Sequence, residues 1–282
     1  MGLMQWIAAL ELGLIYALVA LAVYISFKLI DFADLTVDGT FTLGAGLTAI
    51  LIISGVHPII ATAIAILAGG VAGVITGFLN VYLRIMSLLA GILTMIALYS
   101  INLRIMNAPN LSIFALPNLF SHYKALYVIG ILVLLIWVMF SCFLSTQFGL
   151  ALRAIGVNHK VSRACGINIG TMTIVALAIS NALVALAGSL FAQLESFADI
   201  SMGTGTIIVG LAAVIIGESL VKSDKVLWLM FGCILGSILY RITIALALNA
   251  NFLRSSDLNL ITSFIVVMTL MISLYRKQNW VK

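Results

Sequence analysis

Residues 17–22 read Ala17-Leu-Val-Ala-Leu-Ala22, and ten residues further on the chain reads Phe32-Ala-Asp34. Both strings return 165 positions later without a gap, as Ala182-Leu-Val-Ala-Leu-Ala187 and Phe197-Ala-Asp199. In the same frame Leu29 falls on Leu194, and Leu35-Thr36-Val37 falls on Ile200-Ser201-Met202. The apolar string alone carries little weight in so apolar a chain. The Phe-Ala-Asp in register with it is the stronger signal, and it divides the chain into two related halves.

Composition says what the halves are built for. Of 282 residues, 63% are hydrophobic and 8% charged, where a soluble domain carries about 25% charged residues. A soluble protein of this size could not hide that much apolar surface in one core. Lipid removes the conflict, and the length fits about eight to ten helices at about 20 residues per crossing. A β-barrel needs short segments of alternating polarity; the apolar runs here are long and continuous. The net charge of +5 comes from basic residues scattered singly between apolar runs, which orient helices rather than bind nucleic acid. Cys142, Cys165 and Cys233 form no C-x-x-C pair and read as inert thiols. The N-terminal apolar run lacks a basic leader and an A-x-A site, so it reads as an uncleaved first span.

Nine hydrophobic segments follow: 5–27, 40–55, 58–80, 85–106, 125–144, 171–194, 204–217, 226–248 and 258–275. Segments 40–55 and 204–217 are too short for an upright span. They follow polar stretches at corresponding places in the two halves, Asp31–Gly39 and Asp199–Gly205. Lys and Arg set the orientation. The connection Ser145–Gly170 holds Arg153, Lys160 and Arg163, and the C-terminal tail Arg276, Lys277 and Lys282. Placing both in the cytoplasm puts the N-terminus outside, with Lys28, Arg84, Lys222 and Lys225 inside and Arg104, Lys124 and Arg254 outside. The first Phe-Ala-Asp then closes a helix ending inside and the second a helix ending outside, so equivalent segments run in opposite directions. The expected fold is an all-α polytopic membrane protein, a single transmembrane domain over 1–282. Its inverted repeat has four helices in 1–106, a linking fifth in 107–144, a cytoplasmic loop at 145–170 and four helices in 171–282. Such repeats build substrate paths from paired interrupted helices near the midplane.

Polar residues are few, so each one counts. Asp31, Asp34 and Asp38 are spaced to share one helical face, with Thr36 and Thr40 beside them. Carboxylates beside an apolar bundle need water, a cation or donors. They either line a translocation path or gate, or form a solvated helix end in which Lys28 pairs with Asp31. Asp199, Ser201, Thr204 and Thr206 are the outer counterpart, with the same two readings. Arg241, with Tyr240 and Thr243 nearby and inside or near the end of a span, either pairs with a repeat acid, faces a wet cavity or snorkels. Glu11 and Asn181 read as interhelical glue, and Gly69, Gly73, Gly77, Gly232 and Gly236 as close-packing positions. His57, His122 and His159 are isolated, and neither H-E-x-x-H nor G-x-S-x-G occurs. No G-x-x-x-x-G-K-[ST] loop occurs, so any ATP drive comes from another polypeptide.

The inner connection reads Gln147-Phe-Gly-Leu-Ala-Leu-Arg-Ala-Ile-Gly156 and continues to Gly170. Leu150, Ala151, Ala154 and Ile155 could form one apolar face of a short helix, broken at Gly156-Val-Asn158. Such a helix suits docking onto a partner or lying in the lipid interface. The run Leu152-Arg-Ala-Ile-Gly-Val-Asn-His-Lys-Val-Ser-Arg-Ala-Cys-Gly-Ile-Asn168 resembles the coupling loop of ABC importer permeases of the branched-chain amino acid and ribose type. Ala182–Gly188 and Gly203–Leu220 are similar to members of that family as well. Asp34-Leu-Thr-Val-Asp-Gly-Thr-Phe-Thr-Leu-Gly-Ala45 resembles more narrowly the permeases that accompany tryptophan/tyrosine-type binding proteins.

The resemblance implies a permease homodimer in the bacterial cytoplasmic membrane, with two cytoplasmic ATP-binding subunits and an extracytoplasmic substrate-binding protein. ATP would be used by the partner subunit, with no cofactor in this chain. It assigns coupling to Arg153, Ala154, Gly156, Asn158, Gly166, Ile167 and Asn168. The expected function is ATP-driven import of a small polar solute, an aromatic or branched-chain amino acid, by alternating access. The path would be lined by Asp34, Thr36, Asp38, Thr40, Asp199, Ser201 and Thr204. The alternatives are an ion- or proton-coupled secondary transporter, with Asp34 and Asp199 titrating, a membrane-embedded enzyme, or a passive channel.

Overall fold

The computed structural model describes residues 2–121, 123–221, 223, 225–249 and the single positions 263, 267 and 271. Among the described residues, seven helical stretches are long and apolar enough to cross a membrane. They comprise α1 (Leu3–Val23, continued by a π-helical turn Tyr24–Leu29), α2 (Thr36–Ile53), α3 (Pro58–Val81), α4 (Ser87–Met106), α5 (Ala125–Leu144), α8 (Ile169–Glu195) and α10 (Val226–Asn249). Between them lie α6 (Gln147–Val157), α7 (His159–Ala164) and α9 (Thr206–Leu220). Eight of the nine expected segments are thus helices, with ends moved by up to four residues. The ninth, 258–275, lies outside the described residues.

Local chemistry sets the helix ends. Pro58 opens α3, where its missing N–H costs nothing. Asn168 opens α8 by accepting from the Thr171 N–H at 3.3 Å, and Ser196 ends it at φ 61°. The π-helical turn closes where the Phe32 N–H donates to the Ser26 carbonyl at 2.8 Å, and Asp31 at φ 52° then turns the chain. Asp31 and Asp34 therefore lie outside any helix, and the three acids do not share a helical face. Lys28 pairs not with Asp31 but with Glu218 at the end of α9, at 2.8 Å. The helix α9 has 15 residues, about 22 Å at 1.5 Å per residue, shorter than the roughly 30 Å hydrocarbon core.

The long helix α8 is the centre of the bundle. It runs parallel to α2, since Thr40 meets Asn181 and Thr48 meets Ser189. It runs antiparallel to α1, since Ala22 meets Ser180 and Tyr16 meets Phe191. Against α3 the approach is close enough to require glycine. A Cβ on Gly73 would overlap the Leu177 carbonyl, and one on Gly77 would stand 2.9 Å from the Ile174 Cα. In the other half α1 packs on α10, where a Cβ on Gly13 would stand 3.0 Å from the Ile238 Cα. Outside the expected elements, Asn110–Ser112 (β1) and Phe197–Asp199 (β2) pair antiparallel, with Asn110 opposite Asp199.

The segment 145–170 is two helices. Gly149, Leu152 and Ile155 form the buried face of α6, while Leu150 is exposed. The apolar face is thus rotated from the expected one. A Cβ on Gly156 would stand 2.5 Å from the Leu29 carbonyl oxygen, so the end of α6 is seated on the end of the π-helical turn. Asn158 then starts α7 by accepting from the Lys160 and Val161 N–H groups.

Candidate functional site

The turn between α1 and α2 carries a polar network in the buried interior. Asp34 Oδ1 accepts from the Thr36 N–H at 3.0 Å, and its Oδ2 accepts from Asn181 Nδ2 at 2.7 Å. The second hydrogen of that amide goes to the Leu177 carbonyl at 3.0 Å. Asn181 Oδ1 accepts from the Thr40 hydroxyl at 2.8 Å, and the Thr36 and Thr76 hydroxyls meet at 2.8 Å. Every member is buried, Asp34 at 1% exposure. A buried carboxylate is tolerated only when such donors surround it.

A second buried cluster lies further along α8. The Thr48 hydroxyl donates to Ser189, the Ser189 hydroxyl to Thr62, and Gln193 Nε2 to Thr62 at 3.0 Å. Gln193 Oε1 accepts from the Leu119 N–H at 3.1 Å. Asn181, Ser189 and Gln193 thus form one polar stripe with Ala185, spaced by four along the helix. The sequence displays that spacing, but Asn181 alone stands out in it.

Asp38, in the first turn of α2, works across the bundle. Its carboxylate accepts from the Gly205 and Ile207 N–H groups, both at 2.9 Å, and so caps the N-terminus of α9. The neighbouring Thr42 hydroxyl accepts from the Gly203 N–H at 3.2 Å. Gly203 is required there, because a Cβ would overlap the Asp38 carbonyl. Asp199 Oδ1 accepts from the Ser201 N–H at 2.8 Å and from its hydroxyl, in an exposed turn.

The expected path residues therefore fall into three places. Asp34, Thr36 and Thr40 form the buried network. Asp38 and Thr204 line a cavity of about 440 Å³ between α2, α4 and the turn before α9. Asp199 and Ser201 hold the outer turn. Thr206 is buried at the start of α9. Of the expected coupling residues, Asn158 and Asn168 cap helices, Gly156 abuts the π-helical turn, and Gly166 turns the chain at φ 81°. Arg153 and Ala154 are half-buried on α6, and Ile167 is half-buried before α8. Arg241 lies over the Tyr16 ring at 3.7 Å, a cation–π contact rather than a pairing with a repeat acid. Among the described residues no cluster of His, Cys, Asp and Glu could hold a metal ion.

The family model described as "Branched-chain amino acid transport system / permease component" matches residues 6–274. The tyrosine transport system permease protein of Clostridioides difficile is 40% identical over 262 residues, which cover 93% of this chain and 88% of that one. The protein RP368 of Rickettsia prowazekii is 39% identical over 86% of this chain and 89% of its own length. The ribose import permease protein RbsC of Escherichia coli K12 is 25% identical over 68% of this chain and 62% of its own. No solved structure matches.

Proposed function

The chain belongs to the branched-chain amino acid transport system permease family, and from that premise we propose that it is the permease of an ATP-driven importer of an aromatic or branched-chain amino acid. It is a multi-pass protein of the cell membrane. In this reading two copies of the chain form the path. Two cytoplasmic ATP-binding subunits drive it, and a binding protein delivers solute from outside. The amino-acid substrate follows the tyrosine transport permease, 40% identical over nearly the whole chain.

The observation that carries the reading is the seat of α6. The segment that resembles a coupling loop ends at Gly156, against the Leu29 carbonyl. Five residues beyond Leu29 is Asp34, hydrogen-bonded to Asn181 in the middle of α8. A partner that pushed α6 would therefore act on the turn that opens α2 and on its bond to α8. The lining proposed for the path remains Asp34, Thr36, Asp38, Thr40, Asp199, Ser201 and Thr204, exposed in turn as the bundle rocks.

The inverted repeat is part of this proposal, and the packing supports it. A shift of 165 residues places α1 on α8, α2 on α9 and α3 on α10. Packing exchanges accordingly: α3 lies on α8 where α1 lies on α10, and α2 touches α8 where α9 touches α1. Equivalent helices α1 and α8 run antiparallel. Asp34 and Asp199 make the same bond, each Oδ1 accepting from the N–H two residues on.

A secondary transporter is the second reading, favoured by one feature. The hydrogen-bond partners of buried Asp34, Thr36 and Asn181, are neutral, which suits a carboxyl that carries a proton across. Co-purification separates the two. The tagged chain expressed with its neighbouring genes brings down a stoichiometric ATP-hydrolysing subunit, and Arg153→Asp with Gly156→Asp releases it. A chain that purifies alone and moves solute without ATP overturns the importer reading.

A further inference from the structure

A residue that lines the cavity beside Asp38 carries an unspent hydrogen-bond acceptor. Asn102 of α4 is 2% exposed, and its Nδ2 donates to the Gly39 carbonyl at 3.0 Å. A carbonyl can only accept, so that contact fixes which end of the amide is nitrogen. Asn102 Oδ1 is then buried with no hydrogen-bond partner among the described residues. A buried amide oxygen without a donor costs about 1–3 kcal/mol, a deficit that a ligand donor would remove. Asn102 and Asp38 line the same cavity of about 440 Å³.

The chemistry of the lining selects the ligand. Asp38 spends one bond from each carboxylate oxygen on α9, and a carboxylate has about four lone-pair sites. It keeps acceptor capacity. Among the described residues, the cavity lining includes no Lys, Arg or His. Met95, Ile96, Tyr99 and Ile200 supply apolar walls. Acceptors at the polar end, with apolar walls beyond, match a primary ammonium group on an apolar or aromatic body. Among the described lining residues, a free carboxylate finds hydroxyls, such as that of Thr204, and no cation.

We propose that the cavity between α2, α4 and the turn before α9 binds the solute by its ammonium group, held by Asp38 and Asn102 Oδ1. The ammonium site stands on this geometry, and its naming as an amino-acid station during transport rests on the reading above.

The test uses the full chain in nanodiscs with Cys142 and Cys165, both exposed, changed to Ser. Ser100→Cys then places a reporter thiol on the cavity wall for a methanethiosulfonate reagent. L-Tyrosine and tyramine slow labelling severalfold, while 3-(4-hydroxyphenyl)propionate, which has the same ring and no ammonium, does not. Asn102→Leu removes the protection by tyramine. Equal protection by the propionate, no protection by any of the three, or unchanged protection in Asn102→Leu overturns the site. The first comparison needs no cavity variant beyond the reporter, so misfolding of Asn102→Leu cannot hide the answer. ATP-driven tyrosine uptake by the assembled transporter is scored beside it. Amine protection without uptake overturns the transport reading and keeps the site; uptake without amine protection does the reverse.

Discussion

Two turns with the same sequence have opposite surroundings. Phe32-Ala-Asp34 and Phe197-Ala-Asp199 each end in an aspartate that accepts the N–H two residues on. Asp34 is buried and tied to Asn181, while Asp199 sits in an exposed turn at the end of a two-stranded ribbon. The local bond is therefore a property of the sequence, and the role is a property of what packs on it. In the dry turn a neutral amide from a neighbouring helix supplies the second donor. In the exposed turn water can do so, and the aspartate answers only to its own backbone.

The comparison breaks most visibly at Asn181. Asn181→Leu leaves Asp34 with Thr36 as its one partner and takes from the Thr40 hydroxyl its side-chain acceptor, leaving it the Thr36 carbonyl at 3.0 Å. It should cost about 3 kcal/mol, read as a large fall in thermal stability in detergent. Asp199→Ala should cost under about 1 kcal/mol in the same assay. Equal effects would mean that the two turns are energetically alike.

The helix crossings come next. Gly73→Ala places a methyl on the Leu177 carbonyl and should cost about 2 kcal/mol. Gly13→Ala, at the equivalent crossing of α1 with α10, meets Ile238 less severely and should cost about 1 kcal/mol. Gly70→Ala is the control on α3. Its Cβ has ordinary contacts at 3.7 Å, and the gain in helix propensity of up to about 1 kcal/mol should leave the protein no less stable. Melting curves of the three variants rank them.

Asp38→Ala removes the cap that α2 supplies to α9 and should cost about 1 kcal/mol. The smallest effect belongs to Lys28 and Glu218, an ion pair whose side chains are 51% and 30% exposed. Lys28→Met should change stability by under about 0.5 kcal/mol, less still at high salt.

Much of this was legible in the chain itself. Apolar runs gave the helices, because lipid leaves a backbone no other way to satisfy its polar groups. The four-residue spacing of Gly69, Gly73 and Gly77 gave the tight α3 face. The acids were harder to place. Spacing put Asp31, Asp34 and Asp38 on one helical face, but the π-helical turn and the positive φ at Asp31 break the helix between Lys28 and Thr36. Asn181 read as glue because its partner lies 147 residues away, and no local pattern shows that. Asn102 gave no signal at all; only the bond to Gly39 reveals that its oxygen is left over. The β-ribbon escaped because each strand has three residues.

Solute uptake into proteoliposomes tests the central claim most directly. The permease, its ATP-binding subunit and its binding protein are reconstituted together, and labelled L-tyrosine and L-leucine are followed with and without ATP. The account predicts uptake of at least one of them only when ATP and the ATP-binding subunit are both present, abolished by Gly156→Asp at the seat of α6. Uptake by the permease alone under a proton gradient, indifferent to ATP, would contradict it.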